Sequence, residues 1–328
     1  MKDLLLLLCR YPFDPGDTET LSKLINEVQD WQKMAELINA HGIIALAAYN
    51  IKEAGLEKEI PPEAMAILEN GQRQSMVRNL WIKERWKEVN RILNTAGIKH
   101  ILLKGMALEH TIYGARGLRQ MNDNDILIKR EESAEAWYFL QKEGFTIKTP
   151  KSPLHLKIMR DISNHLPALF KEGYSVEIHT RLFDYKTTKA SGDPYLFGNS
   201  SEISIDNENA LILNEDIHLK YLTYHFERHA LSGESQLRTY ADILMLSKGK
   251  TAEFPEQFIM DPDQKAGHKF RKAAYKGKVN FVPPKYRIFF VLGDLFPSPA
   301  WMKERYKCGG IKAVFYYPHR LGKLWWLV

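Results

Sequence analysis

An acidic pair and a lysine 21 and 19 residues before it carry the clearest chemistry in this chain. Asp123 and Asp125 open the apolar run Asp125-Ile126-Leu127-Ile128, and Lys104-Gly105 closes the run Ile101-Leu102-Leu103. On a strand, residues at i and i+2 face the same way, with Cα atoms roughly 6.5–7 Å apart at about 3.3 Å per residue. Two carboxylates at that spacing can reach one hard cation or bridge two. Mg2+ prefers oxygen ligands of this kind and is commonly shared with substrate phosphates. A glycine after the preceding strand lets a phosphate approach backbone N–H groups at a helix start. The competing reading of Asn122-Asp123-Asn124-Asp125 is a solvated turn, since Asn and Asp are turn formers. The upstream Lys-Gly and the apolar run that follows favour the site.

A third acid, Glu177, lies in Val176-Glu177-Ile178-His179 with His179 at i+2. A strand there beside the Asp123–Asp125 strand would bring three acids together, and their mutual repulsion is relieved by cations. The bland alternative is a polar side chain on a half-buried strand. Lys104 offers a point charge to phosphates, and Arg119 offers a planar fork to phosphate or carboxylate. For both, an ion pair with a nearby acid is the alternative. His225 and His229 share a helix face at i and i+4. A zinc-protease helix needs Glu directly after the first His, and His225-Phe226-Glu227-Arg228-His229 lacks it. Satisfied histidines or a pocket wall fit that pair better.

The elements that must hold these residues follow from apolar spacing and from Gly and Pro. Residues 18–56 read as helices punctuated by Gly42 and Gly55. A long helix is expected from Pro61-Pro62 to Thr95, with Leu68, Met76, Leu80, Trp86, Val89 and Leu93 on its apolar face and Gly97 as its stop. Short strands are expected at 101–103, 125–128 and 145–148, and a helix at 133–142. Lys171-Glu172-Gly173 joins two more strands in a hairpin. From Asn207 the pattern reads as helical again, most clearly at 215–229 and 236–247. The expected class is α+β: a helical region 1–97, a mixed α/β core 98–190, and a helical, basic region 191–328.

The stretch Lys104-Gly105, Arg119, Asp123-x-Asp125 resembles the nucleotidyltransferase superfamily, whose fold is shared with the catalytic domain of DNA polymerase β. It is most similar to the bacterial family described as uncharacterised nucleotidyltransferases. The likeness extends to Val176-Glu177-Ile178-His179, to His225-x-x-x-His229 with Arg238 and Asp242, and to Leu295-Phe296-Pro297-Ser298 with Tyr306. Met106 stands where the wider superfamily has Ser or Gly, and Glu177 where Asp is commoner. The resemblance implies transfer of a nucleoside monophosphate from an NTP to an acceptor, with release of pyrophosphate. It implies Mg2+ or Mn2+ at Asp123, Asp125 and Glu177, with Glu177 taking the acceptor's proton. It also implies nucleotide contacts at Lys104, Gly105 and Arg119, and an acceptor pocket drawing on His179, His225, His229 and Arg238. The acceptor class stays open among small molecule, protein and RNA. The competing function is a non-catalytic module that keeps the fold and binds a nucleotide or partner.

Composition bounds the rest. At 328 residues, with 45% hydrophobic and 26% charged residues, the chain can bury a large core. Two distant cysteines, Cys9 and Cys308, give neither a disulfide framework nor metal spacing, so a cytoplasmic protein is expected. The run Leu4–Cys9 is too short to span a bilayer and reads as a buried first helix. Charge is uneven. Residues 264–328 hold 14 Lys/Arg against two acids, a net +12, while residues 1–263 carry −6. The basic part suits a polyanion (nucleic acid, an acidic membrane surface or substrate phosphates), or is a solvated face with no partner. Trp325-Trp326-Leu327-Val328 beside Arg320 and Lys323 either packs on the domain or lies on a membrane surface.

Overall fold

The computed structural model describes residues 1–183, 193–232, 237–248, 272, 275–277, 279–280, 282–309 and 311–324. Lys265, Lys269, Arg271, Lys278 and Trp325–Val328 lie outside these residues, as does the side chain of His229. The structure is α+β, as the patterning implies.

The N-terminal region is helical: α1 (Lys2–Leu7), α2 (Thr18–Asn26), α3 (Trp31–Ala40) and α4 (Ile44–Glu53). The Leu4–Cys9 run is buried, with Leu4, Leu5, Leu8 and Cys9 fully enclosed. Gly42 and Gly55 end α3 and α4 at φ +71° and +69°, a region open to glycine without steric cost. Next comes α5 (Pro62–Thr95), a single helix of 34 residues started by proline and stopped at Gly97. Its two halves do different work. The first half crosses α4 so closely that a Cβ on Gly71 would stand 2.4 Å from Ile44 Cδ1. The second half lays Ile82, Trp86, Val89 and Leu93 on a β-sheet. Met76 and Leu80, expected on the apolar face, are about half exposed instead.

The sheet has seven strands: β1 (His100–Leu102), β2 (Asn124–Ile128), β3 (Thr146–Ile147), β4 (Leu169–Lys171), β5 (Tyr174–His179), β6 (Ser200–Ile205) and β7 (Glu208–Leu213). Their order is β3-β4-β5-β2-β1-β7-β6. Strands β2 and β5 run parallel, as do β1 and β7, while the remaining neighbours are antiparallel. The β4–β5 hairpin turns at Glu172-Gly173, both at positive φ, as a tight two-residue turn demands. The hairpin β6–β7 departs from the helical reading after Asn207. It adds two strands beside β1, so the sheet continues past residue 190 to Leu213. Its turn, Asp206-Asn207, is again left-handed at both positions.

Helices cover both faces. One face packs under α5 and α7 (Arg130–Lys142), and the other under α10 (Glu215–Ser232) through Ile217 and Tyr221. Between β1 and β2 lies α6 (Lys104–Thr111), followed by an irregular loop to Asp123. Two further helices, α8 (Pro153–Ile162) and α9 (Asp193–Gly198), flank β4–β5 and precede β6. α11 (Leu237–Leu246) returns to the N-terminal helices, burying Leu237, Tyr240 and Ile243 among them. Three helices close the chain: Pro284–Leu295, Pro299–Tyr306 and Lys312–Leu324. Among the described residues no helix is long and apolar enough to cross a membrane.

One buried ion pair ties the loop before β2 to α11. Arg119 donates from Nε and Nη2 to Asp242 at 2.7–2.9 Å, and Tyr113 Oη donates to the same carboxylate at 2.9 Å. Asp242 is fully buried. Removing one partner of such a pair leaves an uncompensated charge. Asp242→Ala is therefore expected to lower the unfolding free energy by about 3–5 kcal/mol in urea titrations. A loss below about 1 kcal/mol would show that water or another group takes the place of the carboxylate.

Candidate functional site

Strand register builds the site. The β2–β5 pairing sets Asp125 opposite Glu177 and Leu127 opposite His179. Alternation sends Ile126, Ile128, Val176 and Ile178 into the core beneath α5, so the odd-numbered residues face α10. A one-residue slip would bury the carboxylates in that core, so the apolar residues lock the acids onto one face. The ligand atoms of Asp125, Glu177 and His179 all lie within 4.8 Å of one another. His179 Nε2 is 2.7 Å from Asp125 Oδ1 and 3.8 Å from Glu177 Oε2. Lys104 Nζ donates to the same Asp125 oxygen at 2.9 Å. The backbone N–H of Leu103 donates to Asp125 O at 2.9 Å, which fixes the end of β1, and hence Lys104, beside the acid. Lys104 itself has φ +43°, an unusual conformation for a residue with a Cβ, and its ammonium lies 5.8 Å from the Tyr221 ring centroid.

The charges divide the roles. Burial works against the Asp125 carboxylate, but Lys104 and His179 hold its pKa well below the usual carboxylate range. Burial likewise opposes the Lys104 ammonium, yet Asp125 above all raises its pKa, so the lysine is charged. Burial pushes the His179 pKa down, against the pull of Asp125. A neutral imidazole beside an ionised Asp125 must supply the shared proton, so Nε2–H is the donor and His179 orients the carboxylate. Asp123 stands just ahead of β2, outside the converging three. Its pKa is pushed up to about 6, first by burial and then by the charges of Asp125 and Glu177. Carboxylate oxygens crowded in this way suit a hard divalent cation. Asp125 and Glu177 can hold such an ion, with Asp123 completing the donor set, or His179 once its Nε2 proton is displaced.

The remaining sequence candidates are distributed around this centre. Gly105 is buried in α6, where a Cβ would meet Arg119 Nη1 at 2.6 Å and Met121 Sδ at 2.9 Å, so the protein's own packing requires the glycine. Arg119 is engaged by Asp242, the ion-pair alternative weighed for it above. Arg238 Nη1 donates to Gln120 O at 2.9 Å, and its charge is felt at Asp123. His225 is a ring away from the centre, 6.0 Å from Tyr221. His179, expected in an acceptor pocket, belongs to the carboxylate cluster.

Two functional supports escaped the sequence reading. Tyr221 roofs Lys104 and His179, with ring centroids 6.3 Å apart for the latter pair. Its place at i−4 from His225 on one helix was the available signal. Glu109 accepts from the backbone N–H groups of Gly117 and, at 3.0 Å, Arg119. It thereby holds the loop that delivers Asp123. Nothing in the local sequence marks it.

The raised Asp123 pKa has a defined sign. The folded state keeps its proton to about pH 6, the unfolded state only to about pH 4. This contribution to stability is therefore full below pH 4 and lost as pH climbs to 6. In metal-free buffer Asp123→Asn is expected to be more stable than wild type above pH 6, by roughly 1–3 kcal/mol. The gap should close near pH 4 in thermal melts across the range. A gap independent of pH would mean that Asp123 ionises freely.

A protein-family model described as "Uncharacterised nucleotidyltransferase" matches residues 27–267. No curated protein and no solved structure matches the chain. The matched span runs from the N-terminal helices through the sheet to beyond α11, and it contains every residue of the carboxylate cluster together with Lys104, Arg119 and Asp242. The chain belongs to the family of uncharacterised nucleotidyltransferases.

Proposed function

We propose that the protein transfers a nucleoside monophosphate from an NTP to an acceptor hydroxyl, releasing pyrophosphate, with Mg2+ or Mn2+ held at Asp125, Glu177 and Asp123. The observation that carries this reading is the convergence of Asp125, Glu177 and His179 within 4.8 Å, beside a charged lysine and a third, crowded acid.

When bound, the cation supplies charge neutralisation at the phosphates and orients the leaving group. The chain's own residues do the rest. His179 fixes the rotamer of Asp125 through its Nε2–H. Lys104 keeps a positive charge at the mouth of the carboxylate cluster and presents it to the donor's phosphates. Glu177 is the more open of the two paired acids, its side chain 27% exposed against 7% for Asp125. That openness suits it to receive the acceptor's proton. The acceptor oxygen attacks the α-phosphorus, its proton passes to Glu177, and the bond to the β-phosphate bridging oxygen breaks with its electron pair on pyrophosphate. Positioning and electrostatics account for such a reaction. Arg119 holds the Asp123 loop through Asp242. Of the other acceptor-pocket candidates, Arg238 donates to Gln120 O and His225 lies beside Tyr221.

Label transfer is the test. Each α-labelled NTP is incubated with the protein, Mg2+ and a cell lysate, and the fraction that takes up label is identified. Chelator should stop uptake, and Mg2+ or Mn2+ should restore it. Asp125→Asn and Glu177→Gln should each cut it by at least about 100-fold, as loss of a positioned charge does at such centres. Uptake that survives both substitutions would refute the proposal.

Lys104 gives a separate measurement. Lys104→Ala should weaken NTP binding about tenfold in calorimetric titration, and Lys104→Arg less, because charge rather than fork geometry is what a lysine contributes. Wild-type affinity in Lys104→Ala would restrict Lys104 to pairing with Asp125.

A further inference from the structure

The Pro284–Leu295 helix buries one face through Phe290, packed with Ile158 and Val282, and leaves a second apolar face open. Its inner face carries the polar anchor. Asp294 is buried beside Lys151 and accepts from Tyr275 Oη at 3.0 Å, Phe290 stacks on His155 at 4.5 Å, and Gly293 lies flush against His155. Its outer face carries Ile288, Phe289, Leu292 and Phe296, at helical spacing and all about half exposed or more. The Lys312–Leu324 helix repeats the arrangement. Ala313 is buried, while Ile311, Val314 and Phe315 stand 58–78% exposed. The two helices are joined where Tyr317 Oη donates to Pro297 O, at 2.5 Å, and Arg320 Nε to Asp294 O at 3.0 Å.

A surface helix ordinarily hides its apolar stripe, and soluble monomers rarely expose contiguous apolar patches beyond a few hundred Å2. The exposed charges of this C-terminal stretch are nearly of one sign. Lys276, Lys285, Lys303, Arg305, Lys307 and Lys312 are exposed, and Glu304 is the one exposed acid among the described residues from 272 onward. Exposed aliphatic and phenyl groups sharing one stretch with exposed cations match an anionic lipid surface. The apolar groups enter the acyl boundary while the cations meet headgroup charge. The stacked Tyr306–Tyr316 pair, 4.6 Å apart, adds rings of the kind that favour headgroup depth. Nucleic acid fits less well, because the aliphatic Ile288, Leu292, Ile311 and Val314, which lie among the exposed rings, give a base nothing to stack on.

We propose that these two C-terminal helices form a docking face for anionic lipid bilayers, holding the protein on a membrane surface without crossing it. Vesicle flotation of the full chain tests this, with 3:1 phosphatidylcholine:phosphatidylglycerol set against phosphatidylcholine alone. Wild type should float with the anionic vesicles and stay down with the neutral ones. Phe289→Asp with Phe315→Asp should lower partitioning at least about tenfold, since binding scales with buried apolar area. Lys285→Gln and Lys312→Gln should lower it about fivefold each. Both positions of the Asp pair are exposed, so its thermal melt should match wild type. Equal partitioning onto both vesicle types, or anionic binding that survives the Asp pair, would overturn the proposal. A wild-type dimer that the Asp pair makes monomeric, with no flotation, would assign the face to a second copy. Tight binding of a 30-mer RNA, unchanged by the Asp pair and without flotation, would assign the charge to nucleic acid.

Discussion

The parallel register of β2 and β5 sets Asp125 against Glu177 across roughly 5 Å of one sheet face, and much of the surrounding structure answers that repulsion. Two like charges at that distance oppose each other by about 3 kcal/mol at an effective dielectric near 20. Asp123 at the head of β2 adds to the crowding and gives way by holding its proton to about pH 6. Asp125 stays ionised because Lys104 and His179 converge on one of its oxygens. The lysine reaches that oxygen from a left-handed backbone position, an arrangement that persists only where its surroundings enforce it. A divalent cation would relieve the same repulsion and would compete with Lys104 for Asp125.

The supports around this face are themselves buried and polar. Asp242 on α11 holds Arg119, Glu109 on α6 caps the loop between them, and Asn79 on α5 donates to Arg119 O at 2.9 Å. Gly117 lies so close to α5 that a Cβ would stand 2.6 Å from Met76 Cα. The loop that delivers Asp123 is thus gripped by three helices: α6, which leads into it, α5 before it, and α11, more than 100 residues further on. The N-terminal helices and α11 share one apolar cluster, so the helical flanks act as the frame of the site.

Much of this was legible in the sequence. Apolar spacing and the glycine stops at 42, 55, 97 and 144 marked α3, α4, α5 and α7. The i/i+2 acids and the Glu177–His179 pair marked the site face, because strand alternation is local information. Partners far along the chain were not legible. Nothing near Arg119 announces Asp242, 123 residues away, and nothing near Glu177 specifies that it faces Asp125 rather than solvent. The β6–β7 hairpin was hidden for a different reason. Ser200-Ser201-Glu202-Ile203-Ser204-Ile205 is an edge strand with two apolar residues, too polar to stand out. Its one local signal, Asp206-Asn207, is a tight-turn pair that the helical pattern from residue 215 overshadowed.

The proposed function requires the Asp125-centred carboxylates to hold a divalent cation together with the donor nucleotide. Mn2+ titration followed by electron paramagnetic resonance, with a non-hydrolysable NTP present, tests it most directly. Wild-type protein with nucleotide is expected to quench the free Mn2+ signal beyond what nucleotide does alone. Folded Asp125→Asn is expected to abolish that excess. Identical titrations for the two proteins would contradict it.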